Sequence, residues 1–259
     1  MTFRRLSELG SAECAAIDTL LRPDPVLSFY WATAIEDLER GIDNRLALLC
    51  ASGQGVIIGA IFGELSVFSP FGIVAGADIA ACTDWPGAVE IHAPLAETSR
   101  YLALAQPRLR EAREMLVLGC PLPILAEPRV DHRCLGLADT DIVAAFYRTH
   151  YAETVFDPYM LFMPFVGAFE DGQLVACAGT LVQSMREKSA LIGHFATAAA
   201  ARNRGFATGL GRALLKVLAG QGFRTVYLAT TVENQTALNV YERLGFRVAD
   251  RRLQIDLMP

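Results

Sequence analysis

The sequence predicts a mixed α/β fold, and three observations carry that expectation. Both halves of the 259-residue chain contain an apolar strand–turn–strand segment. These are LALLCASGQGVIIGAIFGELSVF (46–68) and FVGAFEDGQLVACAGTLV (165–182), turning at Gly53-Gln54 and Gly172-Gln173, and each reads as a β-hairpin. A helical stretch precedes each hairpin, SFYWATAIEDLERG in the first half and DTDIVAAFYRTHYAE in the second. The second half then alternates strand and helix, and two strands joined by one helix lie parallel.

In chain order, the alternating part comprises a strand at 190–197, a helix at 207–219, a strand at 224–230, a helix at 234–244 and a last strand at 246–257. The first helix shows Leu210, Leu214, Val217 and Leu218 on one face, a helical period, and Gly220 and Gly222 stop it. The segment GCPLPILAEPRVDHRC carries three prolines and reads as a connection. It separates an N-terminal domain, 1–125, from a C-terminal domain, 133–259. The repeated helix-then-hairpin order hints at an internal duplication. The aromatic stretches SFYWATAIEDLERG and SVFSPFG read as core.

Composition narrows the function. Hydrophobic residues make up 53% of the chain and the net charge is −5, with a pI near 5.4. An acidic chain is a poor general nucleic-acid binder, because that affinity comes from lysine and arginine on phosphates. No apolar run is long enough for a membrane helix, and the first residues do not read as a signal peptide, so a cytoplasmic protein is expected. Cys14, Cys50, Cys82, Cys120, Cys134 and Cys177 are scattered, with no CxxC. They read as buried free thiols in a reducing compartment rather than metal ligands, and no metal is expected.

The start of the 207–219 helix is unusual. In HFATAAAARNRGFATGLGRALLKVLAGQGF (194–223), two arginines and a glycine precede it, and Gly209 and Gly211 lie inside its first turns. Each interior glycine costs a helix about 1 kcal/mol relative to alanine. A helix N-terminus presents unpaired N–H groups and partial positive charge, so it attracts anions. Gly205 and Ala207 leave room for a bulky pyrophosphate, and Arg202 and Arg204 add charged donors. There is no Gly-Lys-Ser/Thr, and Gly209-Leu-Gly211 lacks the third glycine of a dinucleotide fingerprint. The pattern is Arg202-x-x-Gly205-x-Ala207. From the hexapeptide alone, a phosphate cradle and a simple tight turn are equally good readings.

Downstream, NQTALNVYERLGF (234–246) places Asn234, Ala237, Tyr241, Gly245 and Phe246 at fixed spacing after the strand. The two motifs together, in this order and at this separation, resemble the signature of the GNAT superfamily of N-acyltransferases. The match covers about 135–255; the first half resembles at most a degenerate copy.

The resemblance implies a GNAT acyl-CoA N-acyltransferase fold, tandem if the first half is a copy, and transfer of an acetyl group from acetyl-CoA to an amine by direct attack. It implies that pantetheine pairs with Phe195, Ala196 and Thr197 where two parallel strands splay apart. The pyrophosphate would take Arg202, Asn203, Arg204, Gly205, Phe206, Ala207 and Thr208, and Asn234 would touch the pantetheine arm. Tyr241 matches the tyrosine that protonates the departing thiolate, a sensible role for a phenol. A strand backbone N–H would hold the oxyanion.

Some relatives use a strand glutamate as base. The comparable position here is Leu191. The candidates left are His194, which a regular strand would turn to the opposite face, and Glu153 in RTHYAETVFDPYM, which also offers His150, Tyr151, Asp157 and Tyr159 at the acceptor side. A carboxylate there would suit a cationic acceptor. His92 and His132 read as surface or loop residues. The partner expected is a small-molecule or peptide amine, with no nucleic acid and no membrane; a homodimer is left open. The alternatives are a longer acyl-CoA donor or a non-catalytic acyl-CoA-binding module. A dinucleotide is disfavoured because no acidic residue stands at the end of RTVYLAT.

Overall fold

The computed structural model describes residues 2–50, 53–123, 127–152 and 156–259. The chain divides into two compact units, Met1–Val117 with Ala249–Pro259, and Leu118–Val248.

The first part of the chain holds β1 (Arg4–Arg5), α1 (Ser11–Leu21), α2 (Pro25–Glu39), β2 (Arg45–Leu49), β3 (Gly55–Phe62), β4 (Leu65–Gly72), α3 (Gly76–Thr83), β5 (Ala88–Pro94), α4 (Thr98–Ala105) and β6 (Leu109–Pro121). The second part runs β7 (Arg133–Cys134), α5 (Thr140–His150), β8 (Phe165–Glu170), β9 (Gln173–Ser184), β10 (Ser189–Thr197), α6 (Phe206–Gly220), β11 (Thr225–Thr231), α7 (Gln235–Leu244) and β12 (Arg247–Leu257). Helix, hairpin, strand, helix, strand, helix, strand recurs in both, as an internal duplication requires.

In the first unit, β2, β3 and β4 pair antiparallel in sequence, and β4 runs parallel to β5 from Leu65 opposite Ala88 to Phe68 opposite Ile91. Side chains alternate across a strand, and the packing follows. In β3, Ile57 joins Leu48, Phe68, Ile79 and Ile91 in one core. Its neighbours Val56 and Ile58 join Ile17, Leu27 and Trp31 in another. The aromatic residues Phe29, Trp31 and Phe68 are core, as read from the sequence.

One feature of the domain layout differs from the sequence reading. Residues 249–259 group with the first unit rather than the second. Arg252–Leu257 of β12 pair antiparallel with β5, Leu253 opposite Ala93 and Ile255 opposite Ile91. Their side chains complete the Ile57 core. The alternating apolar pattern of β12 suits any half-buried sheet position and does not say which sheet it joins.

The first unit has its own parallel pair, and a carboxylate caps the start of the helix after β4. The Ala75 N–H before α3 donates to the Asp78 carboxylate at 3.2 Å, and Asp78 is buried. The chain's own negative charge stands where a phosphate would bind.

In the second unit the strand order is β11-β10-β9-β8-β7. The β8–β9 hairpin turns at Gly172, which takes φ of 77°. Helix α6 buries Leu210, Leu214, Leu215 and Leu218. Its interior glycines are packing residues: a Cβ at Gly209 would run into Val130, and one at Gly211 into Leu244. The helix gives up propensity to let its neighbours approach closely.

Candidate active site

β10 and β11 begin as parallel neighbours, with Ser189, Ala190 and Leu191 opposite Thr225, Val226 and Tyr227. The register ends there, so the edge of residues 192–197 that faces β11 has no strand partner among the described residues. β10 is also not regular. Against β9, Gly193 faces Gly179 and Ala196 faces Cys177, so His194 and Phe195 together stand opposite Ala178. This is a bulge, which turns a backbone locally. His194 takes φ of 56°, an uncommon value for a residue with a side chain.

Beyond β10 a short turn, Ala199–Ala201, leads to Arg202 and then to α6. Asn203 and Gly205 both have positive φ, 62° and 86°. Gly205 is the residue before the helix, a left-handed position that glycine occupies at little cost. The Gly209 N–H closes the first helical bond onto Gly205 C=O at 2.9 Å. The N–H groups of Phe206, Ala207 and Thr208 therefore have no partner inside the helix.

The open edge of β10 and the first turn of α6 face one groove of about 870 Å³. Phe195, Ala196, Thr197, Arg202, Asn203, Gly205, Phe206, Ala207, Thr208 and Asn234 line it, as do His194 and Tyr241. Two of the sequence candidates stand apart. Arg204 does not line the groove; it makes a two-armed ion pair with Glu170, one arm at 2.8 Å, and lies over the Phe206 ring at 5.3 Å. Glu153 lies outside the described residues. Asn234 spends its side-chain oxygen on α7, accepting from Ala237 N–H at 3.2 Å.

Tyr241 is buried, its ring edge-on to Phe195 at 5.5 Å and to Phe246 at 6.1 Å. Burial pushes its phenol up to about 12, so it stays protonated across the working pH range. His194 packs edge-on to Tyr147 at 5.4 Å and to Phe165 at 6.3 Å. Its Nδ1 is buried without a hydrogen-bond partner among the described residues. Burial holds the imidazole down near 4, which leaves it neutral at pH 7 and a weak proton acceptor. The strand face expected for it from simple alternation does not apply, because the bulge resets the alternation.

The shift has a stability consequence. Above pH 6.5 the imidazole is neutral in folded and unfolded chain alike. Between 6.5 and about 4 the unfolded chain takes up the proton and the folded chain does not, so stability falls as pH falls, by no more than about 3.5 kcal/mol. Asparagine accepts positive φ; His194→Asn removes this titration. The melting temperature of the variant should fall less than that of wild type from pH 7 to pH 4. Equal slopes would mean that the ring is solvated.

Three groove features were not legible. Leu181 is the extra residue where β9 slips against β10, between the pairs Leu191–Val182 and Ile192–Thr180, and it lies against Gly193. Arg243 lines the groove from the last turn of α7, where a cation reads as a complement to the helix dipole. Tyr147 and Cys177 sit behind the bulge, and nothing local in their sequence points there. Among the described residues no group of three His, Cys, Asp or Glu side chains could hold a metal ion, and no helix is long and apolar enough to cross a membrane. The six cysteines are free; Cys134 is exposed and Cys14 half-buried.

The splayed parallel pair thus opens onto a helix N-terminus whose first N–H groups have no partner inside the helix, an arrangement that attracts anions. Residues 134–246 match the model of the acetyltransferase (GNAT) family, a family of transferases that generally take an acyl-CoA as co-substrate. The folds agree over nearly the whole chain. A structural-genomics protein of Drosophila superimposes with a TM-score of 0.72 at 14% identity, covering 99% of this chain and 98% of that one. A GCN5-related N-acetyltransferase from Sphaerobacter thermophilus gives 0.64 at 17% identity, covering 99% and 96%. A tandem GNAT protein from the clavulanic acid biosynthesis pathway gives 0.65 at 14% identity, covering 98% and 97%. At these identities the likeness is one of fold. No curated protein matches the chain in sequence.

Proposed function

We propose that the second unit transfers an acetyl group from acetyl-CoA to an amine by direct attack within a ternary complex. The observation that supports this is the continuity of the groove. The unpaired edge of β10 runs straight into the free N–H groups of α6, so pantetheine and pyrophosphate have adjoining partners. Phe195, Ala196 and Thr197 pair with the pantetheine amides. Arg202, Asn203 and the N–H groups of Gly205, Phe206, Ala207 and Thr208 take the pyrophosphate. Asn234 steadies the α7 end of the groove. Arg204, neutralised by its ion pair with Glu170, adds little net positive potential to the groove.

In the reaction the amine nitrogen attacks the thioester carbon, the C–N bond forms, and the C–S bond breaks. A backbone N–H of the bulge receives the developing oxyanion. Tyr241 gives its proton to the departing thiolate, the amine loses one proton to solvent, and Tyr241 takes one back from solvent before the next turnover. With His194 neutral and weakly basic, the amine attacks already deprotonated, so the rate rises with pH along the acceptor's own ionisation. Leu181 and Leu191 line the groove, and Leu181 lies against Gly193 of the bulge; an acyl group at that end meets their side chains. Among the described residues no carboxylate lines the groove, so a cationic acceptor would depend on Glu153.

The test is a panel of small amines, amino acids and peptide N-termini incubated with acetyl-CoA, with acetylated product read by mass spectrometry. Acetylation of one acceptor class is the expected result. Acyl transfer only from longer acyl-CoA, or no product from any acceptor, would overturn the acetyl reading.

A further inference from the structure

The bulge in β10 needs something to hold it, since His194 keeps a positive φ against its own side chain. The Tyr147 hydroxyl on α5 donates to the His194 carbonyl at 2.6 Å. That hydroxyl in turn accepts from the Cys177 thiol of β9 at 3.1 Å. Both side chains are buried. A carbonyl and the next residue's N–H share one planar trans peptide and point to opposite sides of it. Anchoring the His194 oxygen toward α5 and β9 therefore aims the Phe195 N–H away from them, on the side from which β11 has departed.

We propose that Tyr147 is a positioning residue for acyl transfer: by bonding the His194 carbonyl it fixes the peptide whose Phe195 N–H polarises the thioester carbonyl. The proposal rests on the acetyl-CoA reading above. It names which N–H does the work and which side chain outside the groove orients it. The hydroxyl cannot drift into the ionised state, because burial and the Cys177 thiol push it well above the usual tyrosine range, so it remains a donor. Tyr147 also stacks on Phe156 at 5.6 Å, and phenylalanine preserves that packing while removing the hydroxyl, and with it the bond to His194 and the acceptor of the Cys177 thiol.

The test compares wild type with Tyr147→Phe in two readouts. In the free protein, the Phe195 amide resonance is followed by selective ¹⁵N-phenylalanine labelling. With acetyl-CoA labelled with ¹³C at the thioester carbonyl, the carbonyl shift on binding is measured. The variant should melt within a few degrees of wild type and bind acetyl-CoA within about twofold. Its Phe195 amide should move and broaden, and its carbonyl shift should fall to less than about half the wild-type value. Turnover should fall about tenfold, as for loss of one orienting hydrogen bond, with KM unchanged. An unmoved Phe195 amide, or a full carbonyl shift in the variant, would overturn the proposal. If wild type does not bind acetyl-CoA at all, the donor assignment is wrong, and the amide readout still decides whether Tyr147 holds the peptide.

Discussion

Tyr241→Phe should lower kcat about a hundredfold, the lower range for loss of a positioned general acid, while the affinity for acetyl-CoA changes less than about twofold. The ring is held by Phe195 and Phe246, so phenylalanine keeps the packing and removes only the hydroxyl. No partner for that hydroxyl is found among the described residues, which leaves it free to meet a ligand in the groove it lines. Burial pushes the phenol up to about 12, which weakens it as an acid in isolation. The same desolvation raises a departing thiolate, so donor and acceptor stay matched within the site. Activity should accordingly show no alkaline loss from this group below about pH 11. Unaltered turnover in the variant would remove Tyr241 from the proton path.

Gly205→Glu should abolish acetyl-CoA binding within the measurable range, a loss of at least about a hundredfold. Two effects add. The residue has φ of 86°, where any side chain is strained. The new carboxylate also stands at the end of α6 that the pyrophosphate needs, and like charges a few ångströms apart repel by several kcal/mol at a partly open site. A Gly205→Ala variant carries the backbone strain without the charge and should lose much less. Equal losses in both would mean that loop conformation, not anion recognition, dominates. Retained binding in the glutamate variant would place the phosphates elsewhere.

What the sequence revealed and what it hid divide along physical lines. The turn before α6 was legible because Arg202, Gly205 and Ala207 act through local backbone geometry, over a few residues, and Asn234 through Phe246 repeat the same kind of local encoding. The strand and helix positions of the second half followed from periodicity and held to within a residue or two. The interior glycines of α6 were noticed, but their cause lies in Val130 and Leu244, far along the chain. The same holds for Arg204, whose partner Glu170 is across a hairpin, and for Tyr147, whose acceptor is the His194 carbonyl. The bulge was invisible, since it depends on how β9 and β10 slip past each other. The return of β12 to the first unit was invisible for the same reason: alternation tells a strand which face to bury, not which neighbour to choose.

The most direct test of the account is a calorimetric titration of the wild-type protein with acetyl-CoA. The groove lies at the start of α6, and the corresponding helix of the first unit carries its own carboxylate cap, Asp78, so one molecule should bind per chain with micromolar affinity. Absence of binding, or two equivalents per chain, would contradict it.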